Sequence, residues 1–114
     1  MLVDQRFIKG IKLFNEEEFF ECHEVIEDLW LATQDEYKDL YKGVIQAAVA
    51  LYHLRRGNLS GARKLYGTSG KYLRKYAPSA LGLNVEKLLK DVKICFEKNQ
   101  NLIPKLEFKE ETGE

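Results

Sequence analysis

Residues 15–30, with the sequence NEEEFFECHEVIEDLW, decide the fold because they have the pattern of a capped amphipathic helix. At about 100° per residue, Phe19, Ile26 and Trp30 lie on one face of that helix. Asn15 is predicted to be the N-cap, since its short polar side chain can accept a hydrogen bond from a free backbone N–H group of the first turn. The stretch therefore predicts a helix that buries an apolar stripe.

Two polar residues interrupt this stripe. His23 lies in its middle and Glu27 follows one helical turn later, so an imidazole and a carboxylate come within side-chain reach of each other. Glu24 points away from the centre of the stripe. The carboxylates of the far face are predicted to lie in solvent: Glu17, Glu21 and Asp28. The pattern thus predicts one histidine and one glutamate that face the protein interior.

Apolar residues at helical spacing predict four further helices. The five predicted helices occupy about residues 3–14, 16–32, 36–56, 59–76 and 85–99. The third is apolar around almost its whole circumference, which is typical of a helix in the middle of a bundle. We therefore expect an all-α fold: a single-domain five-helix bundle over residues 1–103, followed by an extended or frayed C-terminal tail, residues 104–114. The third and fourth helices are expected to form a hairpin like one unit of a helical-repeat protein.

The third helix has one narrow polar strip, formed by Lys42, Gln46 and His53. The small residues Gly43 and Ala50 border one edge of it, so a neighbouring helix can approach closely on that side. Neither this strip nor the polar part of the second helix can turn to solvent without exposing apolar neighbours. The two strips are therefore expected to face each other.

Charge is distributed unevenly in this chain, although its 114 residues have no net charge. Residues 1–40 contain eleven acidic and four basic residues, whereas residues 40–85 contain eight basic residues and no acid. The chain has no run of about 18 apolar residues, so no membrane span is expected. Cys22 and Cys95 have no C-x-x-C partner, and they are expected to be reduced thiols of a cytoplasmic protein.

Two segments of the chain resemble a known family. They are FNEEEFFECHEVIEDLW, from residue 14, and GVIQAAVALYHLRRGNLSGARKLY, from residue 43. With their His-Glu-x-x-Glu-x-x-Trp and His-x-x-Arg-Gly-Asn runs, they are similar to the small all-helical bacterial and archaeal family known as domain of unknown function 309. The resemblance covers roughly residues 4–76. It implies a compact helical domain and assigns no biochemical activity.

Several polar side chains are predicted to meet between the second and third helices: His23, Glu27, Gln46, His53 and Trp30. In one interpretation they form a buried hydrogen-bonded network that fixes the register of the two helices. In another, His23, Glu27 and His53 bind a divalent metal ion, the one cofactor that the sequence indicates. Glu24 would then be the catalytic base of a hydrolase. A metal-free acid–base site is the third interpretation.

The acid-free part of the chain provides a second candidate site. Its basic residues could bind the phosphates of a nucleic acid or another anion. They are Arg55, Arg56, Arg63, Lys64, Lys71, Arg74 and Lys75. The alternative interpretation is a solvated face, which is common on helices.

The sequence favours a small structural or interaction module held together by its inward His-Glu cluster. A metal-dependent hydrolase is the first alternative, and a weak nucleic-acid or anion binder is the second. The partner is expected to be a protein or a second copy of the chain rather than a membrane, with nucleic acid as the less favoured partner. The substrate of any reaction does not follow from the sequence.

Overall fold

The computed structural model describes residues 2–110. The α-helices are α1 (Gln5–Asn15), α2 (Phe19–Ala32), α3 (Lys38–Arg55), α4 (Leu59–Leu73) and α5 (Val85–Glu97). A 3-10 turn (Arg74–Tyr76) continues α4, and the short strands β1 (Ser79–Ala80) and β2 (Leu83–Asn84) precede α5. The prediction of an all-α, single-domain five-helix fold is confirmed, with a small hairpin added to it. None of the helices within residues 2–110 is both long and apolar enough to cross a bilayer.

Helix α3 is the central element. It packs against α2 on one side and α4 on another, and the α3–α4 hairpin is the most extensive helix pair. Its fully buried residues include Leu40, Val44, Ala47, Ala48 and Leu51. Because these residues point in several directions around the helix, α3 buries most of its circumference. This confirms the central apolar helix.

The close approach predicted beside the small residues of α3 occurs at Gly43. The buried Ser69 side chain on α4 donates a hydrogen bond from its Oγ to the Gly43 carbonyl oxygen at 2.9 Å. A Cβ atom added to Gly43 would lie 2.6 Å from Leu73 Cγ, well inside van der Waals contact. Helices α3 and α4 can therefore pack this closely only because Gly43 has no side chain.

Local chemistry fixes the ends of α3, α4 and α5. Gly57 follows α3 with φ +79°, a left-handed conformation in which glycine avoids a steric clash. Asn58 caps α4 by accepting a hydrogen bond from the Gly61 N–H at 3.1 Å. Asn84 caps α5 in the same way, from the Lys87 N–H at 2.9 Å.

The C-terminal tail is extended and packs on the β1–β2 hairpin. The Asn84 N–H donates to the Glu107 carbonyl at 2.9 Å, and the Lys109 N–H donates to the Gly82 carbonyl, also at 2.9 Å. Leu106, just before these two residues of the tail, is only 4% exposed and joins the core. The tail up to residue 110 is therefore ordered by backbone hydrogen bonds and burial. The frayed end expected for residues 111–114 lies outside the described residues.

Asn15 does not cap α2, so that prediction is wrong. It is the last residue of α1, and the N-cap position of α2 is Glu18, whose side chain makes no capping hydrogen bond. The Asn15 side chain instead clamps the tail. Its Nδ2 donates to the Leu106 carbonyl at 2.9 Å, and its Oδ1 accepts from the Leu106 N–H at 2.6 Å. The Asn15 amide is thus hydrogen-bonded to a residue 91 positions later in the sequence and not to the first turn of α2.

Candidate functional site

The buried stripe of α2 is rotated from the predicted one. Its buried residues are Phe19, Cys22, Ile26 and Leu29. The prediction placed the centre of the stripe near His23 because it left out the cysteine and the leucine. At about 100° per residue, His23 lies roughly 90° from the centre of the buried stripe, at its edge.

His23 and Glu27 meet at the protein surface. The His23 Nε2 atom is 3.7 Å from the Glu27 Oε2 atom, and their side chains are 23% and 48% exposed. The other ring nitrogen, Nδ1, is 3.1 Å from the Phe20 carbonyl oxygen of the preceding turn. The predicted pair therefore exists, but the inward orientation predicted for Glu27 is wrong, since this residue lies beyond the edge of the stripe.

The polar residues of α3 do not join this pair. Gln46 Oε1 is buried and, within residues 2–110, accepts no hydrogen bond. His53 Nδ1 lies 3.4 Å from Asn58 Nδ2, at the start of α4, rather than beside the histidine of α2. The hydrogen bonds described for residues 2–110 thus do not link the two helices through a His-Glu-Gln network.

A test of this arrangement is the variant Gln46→Met, which we expect to raise the free energy of unfolding by about 1 kcal/mol. A buried acceptor without a donor is destabilising, and methionine has a similar shape without that acceptor. Urea denaturation measures the change. The matched control is Gln34→Met at an exposed position, expected to stay within about 0.5 kcal/mol of the wild type. A loss of stability in Gln46→Met alone would instead indicate a hydrogen-bonding role.

Trp30 lies beside two lysines of α3 and does not close an internal pocket. The Lys42 Nζ atom is 4.4 Å from the centroid of the indole ring, and the Lys38 Nζ atom is 5.0 Å from it. A cation over an indole face is attracted by the ring quadrupole. Trp30 is partly exposed, and its contacts with Lys38 and Lys42 join the surface of α2 to the first turns of α3.

The residues proposed for metal binding and catalysis are not assembled into one centre. In the part of the chain that the structure describes, no three His, Cys, Asp or Glu side chains come close enough to hold a metal ion. His23 and Glu27 remain a pair without His53, and Glu24 is exposed on the outer side of α2. Burial raises the pKa of the Cys22 thiol to about 12, so its thiolate is not available as a nucleophile near neutral pH.

A row of aromatic rings lies on the surface where α2 and α3 meet. Phe20 lies 5.3 Å from His23 and 5.5 Å from Tyr52, measured between ring centroids, and Tyr52 lies 5.8 Å from His53. We call these four residues the aromatic row. The Arg56 guanidinium covers the Tyr52 ring at 5.4 Å. Phe20, which lies between His23 and Tyr52 in this row, is nevertheless 49% exposed and presents an open apolar ring.

Phe20 is a candidate functional residue that the sequence-based prediction left out. Helical spacing places Phe20 outside the predicted stripe and so predicts an exposed ring, but a single exposed apolar residue is common on protein surfaces and does not by itself indicate a binding site. Its partner Tyr52 could not be identified in the same way. Most side chains of the third helix are apolar, and only the packing angle between α2 and α3 selects which of them borders the surface.

The basic residues fall into two groups. Arg55 and Lys75 form ion pairs with Glu17 and Asp39, respectively. The other five predicted residues make no ion pair within residues 2–110: Arg56, Arg63, Lys64, Lys71 and Arg74. All five are exposed, and the last four lie on α4 and the turn that follows it.

The comparisons with known proteins agree with this helical domain. The chain is 39% identical over 83 residues to the uncharacterized protein YpuF of Bacillus subtilis (strain 168), covering 70% of this chain and 48% of that protein. It is also 39% identical over 46 residues to an uncharacterized protein of Aquifex aeolicus (strain VF5), covering 40% of this chain and 14% of that protein. The chain thus spans about half or less of the length of these curated relatives. The profile of the family described as domain of unknown function (DUF309) matches residues 7–65, just over half of the chain, and the chain therefore belongs to this family.

Proposed function

We propose that this domain is a protein-interaction module whose partner is a basic amphipathic helix docked along α2. The observation that carries the proposal is the exposure of Phe20. Phe20 is 49% exposed although its ring contacts those of His23 and Tyr52 at tilted angles, so it presents apolar surface that the fold itself does not cover. A rigid aromatic ring held by neighbours is the typical anchor of a protein interface.

A second apolar residue marks the other end of the same helix face. Leu31 is 61% exposed and follows Phe20 by eleven residues, which is three helical turns or about 16 Å. Glu24 and Glu27 lie between these two residues on the same face, at the spacing i, i+4, i+7 and i+11. We call Phe20, Glu24, Glu27 and Leu31 the docking face.

The charge of the docking face defines the chemistry of the partner. Neither of its glutamates pairs with a lysine or arginine among the described residues, and Glu27 has only the His23 ring beside it. Glu21 and Asp28 are exposed next to them and add negative charge. A complementary helix therefore carries lysines or arginines between two apolar side chains that are about three turns apart.

The relatives support a modular role. The matching segments are 83 and 46 residues long and make up 48% of the Bacillus protein and 14% of the Aquifex protein, so similar sequences occur in chains of different length. The free cysteines Cys22 and Cys95, both buried, agree with the reducing environment of the cytoplasm, where we place the protein.

The experiment uses a synthetic helical peptide with leucines eleven residues apart and lysines between them. Trp30 is the single tryptophan of the chain and lies on α2, so its fluorescence reports binding directly. We expect Phe20→Ser to weaken binding by roughly tenfold or more, since it removes the anchor. Glu24→Lys with Glu27→Lys is expected to abolish the attraction and the salt dependence of binding.

The control variant is Leu102→Ser, which removes an apolar side chain of similar exposure, 47%, outside α2. It is expected to bind the peptide like the wild type. Equal weakening by Leu102→Ser and Phe20→Ser would refute the docking face. So would equal binding of a peptide with the same composition and a scrambled order, because the proposal depends on the three-turn spacing.

A further inference from the structure

Four cations lie together on the outer face of α4 and the turn that follows it: Arg63, Lys64, Lys71 and Arg74. At about 100° per residue they fall within roughly 100° of arc, and all four side chains are exposed. The distance along the helix from the first to the last is about 16 Å. We call these four residues the cationic strip. It is separate from the docking face, because that face lies on α2 and α3 lies between the two helices in the packing order.

Within residues 2–110, no ion pair neutralises the cationic strip. Its four residues make no ion pair in the described part of the chain, whereas the neighbouring Lys75 is held by Asp39, whose hydrogen bond raises the lysine pKa. Glu97 of α5 is the acid that approaches α4, and it accepts a hydrogen bond from the Tyr66 hydroxyl at 2.6 Å. Asp39 and Glu97 are thus bonded to Lys75 and Tyr66, and α4 itself contains no acidic residue, so the strip remains a cluster of four exposed cations.

The shape of the strip suits an extended anion. Gly67 lies in its middle, and a Cβ atom added there would meet no atom within 4 Å, so the centre is open. Gly70 leaves room for the guanidinium of Arg74, whose Nη2 would lie 3.1 Å from an added Cβ atom. The arginine therefore folds back over the helix instead of extending away from it. A ligand backbone can approach the helix between the cations.

The composition of this surface favours a nucleic acid over a protein or a membrane. Large exposed apolar side chains are scarce on this surface. Within residues 59–75, all of which the structure describes, the one such side chain is Leu59 at the start of α4, 46% exposed. Protein interfaces need an apolar core, and membrane-bound helices need an apolar face to insert. Nucleic-acid interfaces are polar and strongly positive.

We propose that the cationic strip binds the phosphate backbone of a nucleic acid without reading its base sequence. Its length matches a stretch of duplex that carries roughly four to five phosphates on one strand. Four exposed cations can each contact one phosphate and release its condensed counterions. The binding is therefore electrostatic, and it goes beyond the protein-binding role proposed for α2.

Fluorescence anisotropy with short labelled duplex DNA, duplex RNA and single-stranded DNA tests the proposal on the full chain. For four phosphate contacts, the affinity for a duplex is expected to fall roughly 100-fold between about 50 and 200 mM salt. In the variant Lys71→Gln with Arg74→Gln, the same increase in salt should lower the affinity only about tenfold, because two contacts are lost. The affinities for duplex RNA and single-stranded DNA, compared with that for duplex DNA, show which nucleic acid is preferred.

The matched control is Lys90→Gln with Lys93→Gln, which removes two exposed cations from α5 and is expected to retain the wild-type salt dependence. Circular dichroism confirms that both variants are folded. The proposal is overturned if no nucleic acid binds at low salt, or if the two double variants behave alike. It is also overturned if vesicles with anionic lipids or polyglutamate compete as well as the duplex does at equal charge. Phe20→Ser should leave nucleic-acid binding unchanged, so this test and that of the docking face fail independently.

Discussion

Gly43→Ala is expected to lower the free energy of unfolding by about 1–3 kcal/mol, although alanine is the better helix former. The added Cβ atom would lie 2.6 and 2.7 Å from two side-chain carbons of Leu73, which is only 1% exposed and cannot move into solvent. Helices α3 and α4 would have to separate, and the buried hydrogen bond from Ser69 to the Gly43 carbonyl would lengthen. Chemical denaturation of the variant and the wild type measures the difference.

The chain provides two comparisons for this substitution. Gly67→Ala lies on the open face of α4, where the new methyl group meets nothing, and we expect it to stabilise the protein by up to about 1 kcal/mol. Gly10→Ala should destabilise like Gly43→Ala, because its Cβ atom would lie 2.5 Å from Ile26 Cδ1 at the α1–α2 contact. If Gly43→Ala were as stabilising as Gly67→Ala, the close packing of α3 on α4 would be wrong.

The sequence contains most of the information on the helices, because that information is local. The apolar circumference of the third helix predicts its central position, and the Gly57-Asn58 pair predicts the turn that closes the hairpin. The same is true of Asn84 at the start of α5, where one side chain accepts a hydrogen bond three residues away. Each of these features depends on residues within one or two turns of each other, so a single sequence is enough to find them.

The candidate site was harder to predict, because it depends on small rotations between helices. Including Cys22 and Leu29 in the buried stripe moves His23 from its centre to its edge, and this rotation brings Glu27 to the surface. The predicted inward cluster consequently becomes an exposed pair with a row of aromatic rings beside it. The contact between Phe20 and Tyr52 joins two helices whose crossing geometry no local pattern specifies.

Long-range partners are the other feature that the sequence could not reveal. Asn15 is a good helix cap by residue type, and only the folded chain shows that its amide is used 91 residues away. The short hairpin of β1 and β2 escaped prediction for a related reason. Its two-residue strands are too short for any periodicity, and the extended tail completes their hydrogen bonding.

The clamp between Asn15 and the tail leads to the second large effect. Asn15→Ala is expected to lower the free energy of unfolding by about 1–3 kcal/mol. The substitution leaves the partly buried N–H and carbonyl groups of Leu106 without their hydrogen-bond partners. The tail should also open more often. Its amide hydrogens, such as that of Lys109 bonded to the Gly82 carbonyl, are therefore expected to exchange faster with solvent.

Two further variants test whether the tail belongs to the folded core. Asn99→Ala is the matched control, since its side chain accepts only a local hydrogen bond from the exposed Asn101 N–H, and it should change stability by less than about 0.5 kcal/mol. Leu106→Ala, which removes a side chain that is 4% exposed, should destabilise by about 2–5 kcal/mol if the tail belongs to the core. If both Asn15→Ala and Leu106→Ala were neutral while tail exchange stayed fast in the wild type, the tail would be a detached segment. The helices alone would then account for the stability of the domain.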